Sequence, residues 1–233
     1  LDAVLAHAAE AGVERVLQMG DIVGYGPDPG YCIDKLREVE ATICLGNHDA
    51  AVIGKLELEH FNPFAKQALL WTIQTISEEQ KDFLASLPYL QSLGDLDMTL
   101  VHGSLFQPEN FDYVRSLSSA RLCIELQKTR LCFVGHTHQP CLFRLEQDRF
   151  FHYYPEFEQE GSYALREGER VLVNVGSVGQ PRDEDPRAAY VLHDTEEDSL
   201  SLIRVSYDFP LVQQKIRGKG LPAVLAERLG FGL

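Results

Sequence analysis

Short apolar runs alternate with amphipathic stretches along the first half of the chain. The opening LDAVLAHAAEAG places Leu1, Val4, Leu5 and Ala8 on one helical face and ends at Gly12, before the strand-like run VERVLQM. In βα units a strand precedes each helix. The pattern therefore predicts that a strand and its loop precede the first helix in the native protein.

Predicted strands and helices continue to alternate, and β-rich segments follow in the second half of the chain. Helices are predicted from Asp28 to Glu38, from Phe64 to about Leu87, and near Ser118 to Thr129. Ser77 and Gln80 have the spacing of a capping box. The strands predicted between the helices are ATICL, DMTLV and LCFV, and the β-rich segments CLFRLEQ, VLVNV, AAYVLHD and LSLIRVSYD follow. We therefore predict one domain over residues 1–233, of α/β (α+β) class, with packed sheets and helices outside.

Composition narrows the class of protein. The 233 residues are 45% hydrophobic, which is enough for a real core. No apolar run approaches the roughly 18 residues of a membrane span, and the N-terminus lacks the layout of a signal peptide. We therefore expect a soluble, cytoplasmic protein without a membrane partner. The five cysteines are widely spaced and are predicted to be reduced packing residues.

The net charge of −14 argues against a broad nucleic-acid-binding face, which normally shows as a basic stripe. It does not exclude anionic substrates, because bound divalent cations can reverse the sign of a site.

Four polar clusters each follow an apolar strand and contain a glycine. They are Gly20-Asp21, Gly46-Asn47-His48-Asp49, His102-Gly103-Ser104 and Gly135-His136-Thr137-His138. In open α/β sheets ligands collect beyond the carboxyl ends of the strands, so clusters far apart in sequence are expected to converge. Glycine permits tight turns and close backbone approach to a metal ion or a phosphate.

The polar residues of these clusters combine hard oxygens with imidazoles. The set suits Mn, Fe, Zn, Co or Ni rather than Ca, and the absence of cysteine argues against a structural zinc site. A carboxylate such as Asp21 can bridge two ions about 3.5–4 Å apart, the separation used in two-metal hydrolysis. The sequence therefore predicts two divalent metal ions that polarise a phosphoryl group and activate a water molecule.

The segments GDIVGYGPDP, GNHD, VHGS and GHTHQP, in this order over residues 20–140, resemble the signature of the calcineurin-like metallophosphoesterases. With NVGSVGQPRD at 174–183, the chain is most similar to the small bacterial and archaeal YfcE-type phosphoesterases. The resemblance implies a four-layer αββα sandwich of two mixed β-sheets flanked by helices. It also implies hydrolysis of phosphomonoesters or phosphodiesters by metal-activated water at a dinuclear site.

The resemblance also implies roles for individual residues. Asp21 becomes the bridging ligand, Asn47, His102 and His136 complete one metal site, and His138 serves the other. The first Asp-x-His motif of the family, which supplies the other ligands of the second metal, is not seen in this sequence. That difference motivates an alternative, a non-catalytic scaffold of the same fold with an incomplete metal site.

His48 becomes the catalytic histidine, which contacts the phosphate together with Asn47 and protonates the leaving oxygen. Asp49 is a candidate for orienting His48, although a carboxylate after a strand often only caps the next helix. In NVGSVGQPRD a structural turn explains most of the pattern, but Arg182 or Gln180 is a candidate for binding substrate phosphate.

The expected partner is a small phosphate ester, with nucleotides among the candidates, while nucleic acid is disfavoured and self-association stays open. The aromatic segment RFFHYYPEFEQEGSY is interpreted as a hairpin that covers a sheet face, or else as an exposed patch for stacking or dimerisation. FNPF, before the helix that carries Trp71, is a candidate lid over the site.

Overall fold

The computed structural model describes residues 1–147 and 149–233. Eight α-helices lie in this part of the chain: α1 (Asp2–Glu10), α2 (Pro29–Glu38), α3 (Asn47–Val52), α4 (Pro63–Thr75), α5 (Glu78–Ser86), α6 (Leu117–Leu126), α7 (Phe209–Gly218) and α8 (Ala223–Glu227). Short 3-10 helices cover Leu58–His60, Pro108–Asn110, Pro155–Gln159 and Arg228–Gly230.

Eleven strands were found in the same residues: β1 (Leu17–Gln18), β2 (Thr42–Ile43), β3 (Leu90–Leu93), β4 (Met98–Val101), β5 (Leu131–Val134), β6 (Cys141–Glu146), β7 (Phe150–Tyr153), β8 (Ser162–Ala164), β9 (Glu169–Asn174), β10 (Ala188–Asp194) and β11 (Ser199–Val205). They form a six-stranded mixed sheet in the order β3-β4-β5-β9-β6-β7, a three-stranded antiparallel sheet in the order β10-β11-β8, and the parallel pair β1-β2. Strands β4, β5 and β9 are parallel neighbours.

Successive side chains of the central strands point alternately to the two faces of the six-stranded sheet. On β5, Leu131 and Phe133 point into a core that also contains Leu200 and Leu202 of β11. The intervening Cys132 and Val134 point to the opposite face, where α6 covers them. The large sheet therefore packs on a second layer of strands with one face and on a helix with the other.

Helices also cover the outer side of the second layer. Val4 of α1 packs against Ala188 of β10 and Val205 of β11. Ile43 of β2 packs with buried residues of α2, α3, α4 and α5, among them Ile33 of α2. The order helix, sheet, sheet, helix confirms the expected four layers, and the second sheet layer consists of the β8-β10-β11 sheet together with the β1-β2 pair.

Several predicted elements differ in detail. The stretch predicted as helical from 64 to 87 is divided at Ile76, where Ser77 caps α5: its hydroxyl accepts from Gln80 N, and the Gln80 side chain accepts from Ser77 N. The aromatic segment does not form a hairpin by itself: β7 pairs with β6, which precedes the segment, and β8 pairs with β11 of the other sheet. On the β6-β7 pair, Phe151 stacks on Phe143 at 5.6 Å. The predicted strand VERVLQM contributes only the two residues of β1.

The five cysteine thiols are free, in agreement with the prediction. Among the described helices, none combines the length and the apolar character that crossing a membrane requires.

Candidate metal centre

The predicted ligands come from loops at the carboxyl ends of four strands. Asp21 follows β1, Asn47 begins α3 four residues after the last residue of β2, His102 follows β4, and His136 follows β5. Because β1 and β2 are parallel, as are β4 and β5, the loops after these strands emerge at the same edges of their sheets. The fold thus brings together four residues that span more than a hundred positions of sequence.

The ligand atoms of these four residues form one compact group. Candidate atoms of Asp21, His102 and His136 all lie within 4.8 Å of each other. His102 Nε2 is 2.9 Å from His136 Nδ1 and 3.4 Å from Asp21 Oδ2. The side-chain amide atom of Asn47 that faces the group lies 3.0 Å from His102 Nε2, 3.1 Å from His136 Nδ1 and 3.3 Å from both Asp21 carboxylate oxygens.

The chemistry of this donor set fits a divalent metal ion. His102 Nδ1 lies 2.6 Å from the Met19 carbonyl, so its proton is on Nδ1 and the Nε2 lone pair points into the group. The Asp21 carboxylate and the Asn47 carbonyl oxygen are also acceptors. An Asn amide rotated to donate has only two hydrogens for four acceptors, whereas one cation satisfies all of them. Imidazole with carboxylate and amide oxygen is the ligand mixture typical of transition metals.

Burial and the Asp21 carboxylate are main causes of the shifted pKa values in the centre. Burial raises the pKa of Asp21, but the neighbouring imidazoles of His102, His48 and His136 outweigh it and hold this pKa well below its usual value. Burial lowers the pKa of His102, but the Asp21 charge outweighs it and raises the pKa. Burial, followed by the charge of His102, lowers the pKa of His136 to about 2. His136 is therefore a neutral imidazole, the form in which histidine binds metals.

Three of the predicted ligands have a left-handed backbone. Asp21 has φ of 60°, His136 of 65° and His138 of 62°. For residues other than glycine this region is sparsely populated, and such strain concentrates at functional sites. The loops thus hold these side chains in orientations that ordinary strand ends do not give.

Gly46 permits close contact between the first two loops. A β-carbon at Gly46 would collide with the amide nitrogen and a carboxylate oxygen of Asp21. The backbone amide of His48 also donates to Asp21 Oδ1 at 2.9 Å. The start of α3 therefore lies directly against the Asp21 carboxylate.

Asp49 fixes the shape of these loops. Its Oδ2 accepts from the amides of Asp21 at 2.8 Å and Gly46 at 3.1 Å, and its Oδ1 accepts from Val23 at 3.2 Å. The side chain is 0% exposed. Its carboxylate thus accepts from three backbone amides and positions the Asp21 loop. The expected contact with His48 stays a prediction.

His48 is held between two aromatic rings. Tyr25 stacks on it with ring centroids 4.0 Å apart at 25°, and Phe61 of the predicted lid segment meets it edge-on at 5.0 Å. Gly24, with φ of 96°, lets the backbone approach His48 so closely that a β-carbon there would collide with Nδ1. Burial lowers the pKa of His48 to about 4. The imidazole therefore lies beside the ligand group as a neutral ring with a fixed position.

His138 is a further predicted ligand, and its ring contacts Tyr25. Its ring meets Tyr25 edge-on at 5.1 Å, and its Nδ1 lies 2.7 Å from the Gln180 carbonyl, which leaves Nε2 as a free acceptor. Asn174 donates to the Gly135 carbonyl at 2.6 Å and so shapes the loop that carries His138. The segment 174–183 therefore supports the site structurally, as its glycines and proline indicated.

Arg182 reaches toward the centre from the same segment. Its guanidinium donates to Gln180 Oε1 at 2.9 Å and lies 5.8 Å from the centroid of the Tyr25 ring. Its charge contributes to the lowered pKa of both His48 and His138. The structure thus places Arg182 beside these two histidines, and its role in phosphate binding stays a prediction.

Two aromatic residues of the centre were not predicted from the sequence. The Tyr25 hydroxyl donates to Asp21 Oδ2 at 3.0 Å, and Tyr113 stacks on His136 at 3.7 Å and 14°. Tyr25 lies between two glycines four residues after Asp21, a position that could have drawn attention to it. Tyr113 lies far from every polar cluster, and the motifs carry no signal for it.

Comparison with known proteins identifies relatives over the whole chain. Residues 1–198 match the model of the calcineurin-like phosphoesterase superfamily domain. A metallophosphoesterase from Sphaerobacter thermophilus is 36% identical, with a TM-score of 0.82 over 99% of this chain and 94% of that one. An uncharacterized protein of Methanocaldococcus jannaschii is 34% identical over 234 residues, which cover 100% of this chain and 92% of the relative. A hypothetical protein from Pyrococcus horikoshii, 20% identical, shares the fold with a TM-score of 0.75 over 99% of this chain and 90% of that one.

Proposed function

The chain belongs to the calcineurin-like phosphoesterase superfamily, and on that basis we propose that it hydrolyses phosphomonoesters or phosphodiesters with two divalent metal ions. The observation that carries the proposal is the convergence of acceptor atoms from Asp21, Asn47, His102 and His136, with the ring of His48 beside them. A structural metal site has no need of an adjacent, aromatically clamped imidazole.

Different side chains are proposed to bind the two ions. Asp21, Asn47, His102 and His136 would hold one ion, and Asp21 with His138 would contribute to the other. When bound, the ions polarise the phosphoryl group and lower the pKa of a coordinated water. Asp21 suits the shared position, because one carboxylate oxygen accepts from the His48 amide and the other from the Tyr25 hydroxyl, which fixes its plane.

His48 acts on the substrate rather than on the metals. Its position between Tyr25 and Phe61 holds the ring, so that it can donate a hydrogen bond to the phosphoryl group. The charge of that bound anion favours the protonated imidazole, which can then pass a proton to the leaving oxygen. A proton donor held in this way contributes about 10²–10⁴-fold to the rate.

Metal-dependent turnover of model esters tests the proposal. Chelator-treated protein is loaded separately with Mn²⁺, Fe²⁺, Zn²⁺, Co²⁺ or Ni²⁺, and hydrolysis of 4-nitrophenyl phosphate and bis(4-nitrophenyl) phosphate is followed by absorbance. We expect turnover only with metal. Asp21→Asn is expected to lower metal content, whereas His48→Ala is expected to retain metal and lower kcat by about 100-fold or more. His152→Ala, which removes an exposed imidazole on β7, is the matched control.

The outcomes separate the alternatives. Unchanged turnover in both Asp21→Asn and His48→Ala would contradict the proposal. Metal binding that depends on Asp21, without hydrolysis of either ester under any metal, would favour the non-catalytic scaffold instead.

A further inference from the structure

Three flat groups are stacked beside the metal centre. The ring of Tyr113 lies 3.7 Å from the ring of His136 at 14°, and Arg115 Cζ lies 3.5 Å from the centroid of the same Tyr113 ring. A nearly parallel imidazole at that distance covers one face of the phenol ring, so the guanidinium lies on the other face. Two short stacking contacts therefore connect Arg115 to a predicted metal ligand.

The guanidinium of Arg115 keeps its second face and its N–H donors free. Over residues 1–147 and 149–233 it has no hydrogen-bond partner and no carboxylate within 4.0 Å, and the side chain is exposed. Arg121, on α6, instead pairs with Glu125 at 2.8 Å. Stacking on Tyr113 holds the guanidinium without using its donors. Arg115 therefore offers a flat, positively charged surface to a ligand.

Arg115 also lines a cavity of about 270 Å³ next to the metal-binding loop. Thr137, which lies between the predicted ligands His136 and His138, forms part of the cavity wall. A substituent on a phosphoryl group at the metal centre can therefore reach this cavity and meet the guanidinium there.

The aromatic segment contributes a second flat surface to the same cavity. Tyr153 of β7 and Phe143 of β6 both line it, with ring centroids 5.2 Å apart, and the Tyr153 hydroxyl donates to Glu158. Val114 and Leu117 add apolar wall. Apolar and aromatic walls with few polar groups are typical of sites for organic molecules. These contacts support a stacking role for the part of the segment that carries Tyr153.

Flat cationic and aromatic surfaces select a flat aromatic ligand. The negative face of an aromatic ring attracts a guanidinium and stacks on a phenol ring, whereas a saturated ring of similar size has no such face. We propose that Arg115 and Tyr153 form a subsite that binds an aromatic or heteroaromatic ring carried by the phosphate ester. This inference rests on the proposed function for the position of the phosphoryl group at the metal centre.

Two phosphonates that differ only in their ring test the subsite by binding. The pair consists of 3-phenylpropylphosphonate and 3-cyclohexylpropylphosphonate, whose C–P bonds are not phosphate ester bonds. Hydrophobic burial alone favours the cyclohexyl compound, because its ring is the more apolar. Calorimetric titration of metal-loaded protein should nevertheless give a Kd about tenfold lower for the phenyl compound. The metal is the one that supports hydrolysis of the nitrophenyl esters or, if none does, each of the five candidates in turn.

Variants of Arg115 separate stacking from simple packing. Arg115→Met keeps a long side chain but removes the flat cation, and it should reduce the phenyl preference to about twofold or less. Arg115→Lys keeps the charge without the flat face and should retain part of the preference. Arg121→Met, which removes an exposed arginine from α6, is the matched control and should leave the preference unchanged. The ratio of the two Kd values cancels a common effect on the metals, because both ligands carry the same phosphonate.

The outcomes separate the subsite from the proposed function. Binding of the cyclohexyl compound that is equal or tighter, or a phenyl preference that Arg115→Met leaves intact, would overturn the subsite, while hydrolysis of the nitrophenyl esters would still support the proposed function. Tighter binding of 4-phosphonobutanoate than of the phenyl compound would assign Arg115 to an anion and also overturn the subsite.

A phenyl preference that depends on Arg115, in protein that hydrolyses neither nitrophenyl ester, would support the subsite and refute the proposed function. Absence of binding by both ring-bearing phosphonates would overturn the subsite, because its ligand must reach the cavity from the metal centre.

Discussion

Replacing Asp49 by asparagine tests whether this buried carboxylate holds the Asp21 loop. Its two oxygens accept from three backbone amides, those of Asp21, Gly46 and Val23. Asparagine keeps one acceptor oxygen, and its NH₂ group must face at least one N–H donor. The hydrogen bond to Val23 is then lost, and Val23 itself is only 2% exposed, so water cannot replace the partner.

The magnitude follows from these contacts. Losing one hydrogen bond to a charged group costs about 1.5–3 kcal/mol, and converting the other two from charged to neutral costs roughly 1 kcal/mol each. Burial and the nearby charge of Asp21 raise the pKa of Asp49, so removing the charge of Asp49 offsets part of this cost. We expect Asp49→Asn to lower the free energy of unfolding by about 2–3 kcal/mol.

Urea denaturation of the metal-free protein at pH 8 measures the effect without a contribution from metal binding. Asp82→Asn, the same change at an exposed position of α5, is the matched control and should stay within about 0.5 kcal/mol of the wild type. If Asp49→Asn also stays within about 0.5 kcal/mol while kcat falls, the loop-positioning role is wrong and an orienting role toward His48 is favoured.

Three further perturbations act on the centre itself. Tyr25→Phe removes the hydroxyl that donates to Asp21 and keeps the ring, so metal affinity should fall about 10–100-fold in a metal titration; an unchanged affinity would contradict this. Gly46→Ala forces a β-carbon into Asp21 and should destabilise the protein by about 1–3 kcal/mol in urea, whereas Gly94→Ala, with open space around it, should cost less than about 0.5 kcal/mol. Chelation should lower the Tm, and metal added back at about 100 times its Kd should restore about 2.7 kcal/mol; a Tm insensitive to all five candidate metals would rule out the centre.

Local sequence signals predicted the features that depend on neighbours along the chain. Ser77 and Gln80 are three residues apart, so their capping box could be recognised without knowledge of the fold. The glycines beside the polar clusters marked positions where the backbone can approach a neighbouring loop closely, as Gly46 approaches Asp21.

The convergence of Asp21, Asn47, His102 and His136 was also predictable, because their clusters follow strands and loops at the carboxyl ends of parallel strands meet. The sequence predicted the lengths of the strands less well. The strand predicted from VERVLQM contributes two residues to β1, because the extent of a strand depends on which neighbour supplies its hydrogen bonds.

The sequence by itself determined the order of helices and strands, the family signature and the candidate ligands, because periodicity, caps and motifs are local. Only the tertiary structure decided what surrounds those ligands. The clamp on His48 joins this residue to Tyr25, 23 positions earlier in the sequence, and to Phe61, 13 positions later. Such contacts depend on how layers pack, and packing is set by the whole core rather than by any one segment.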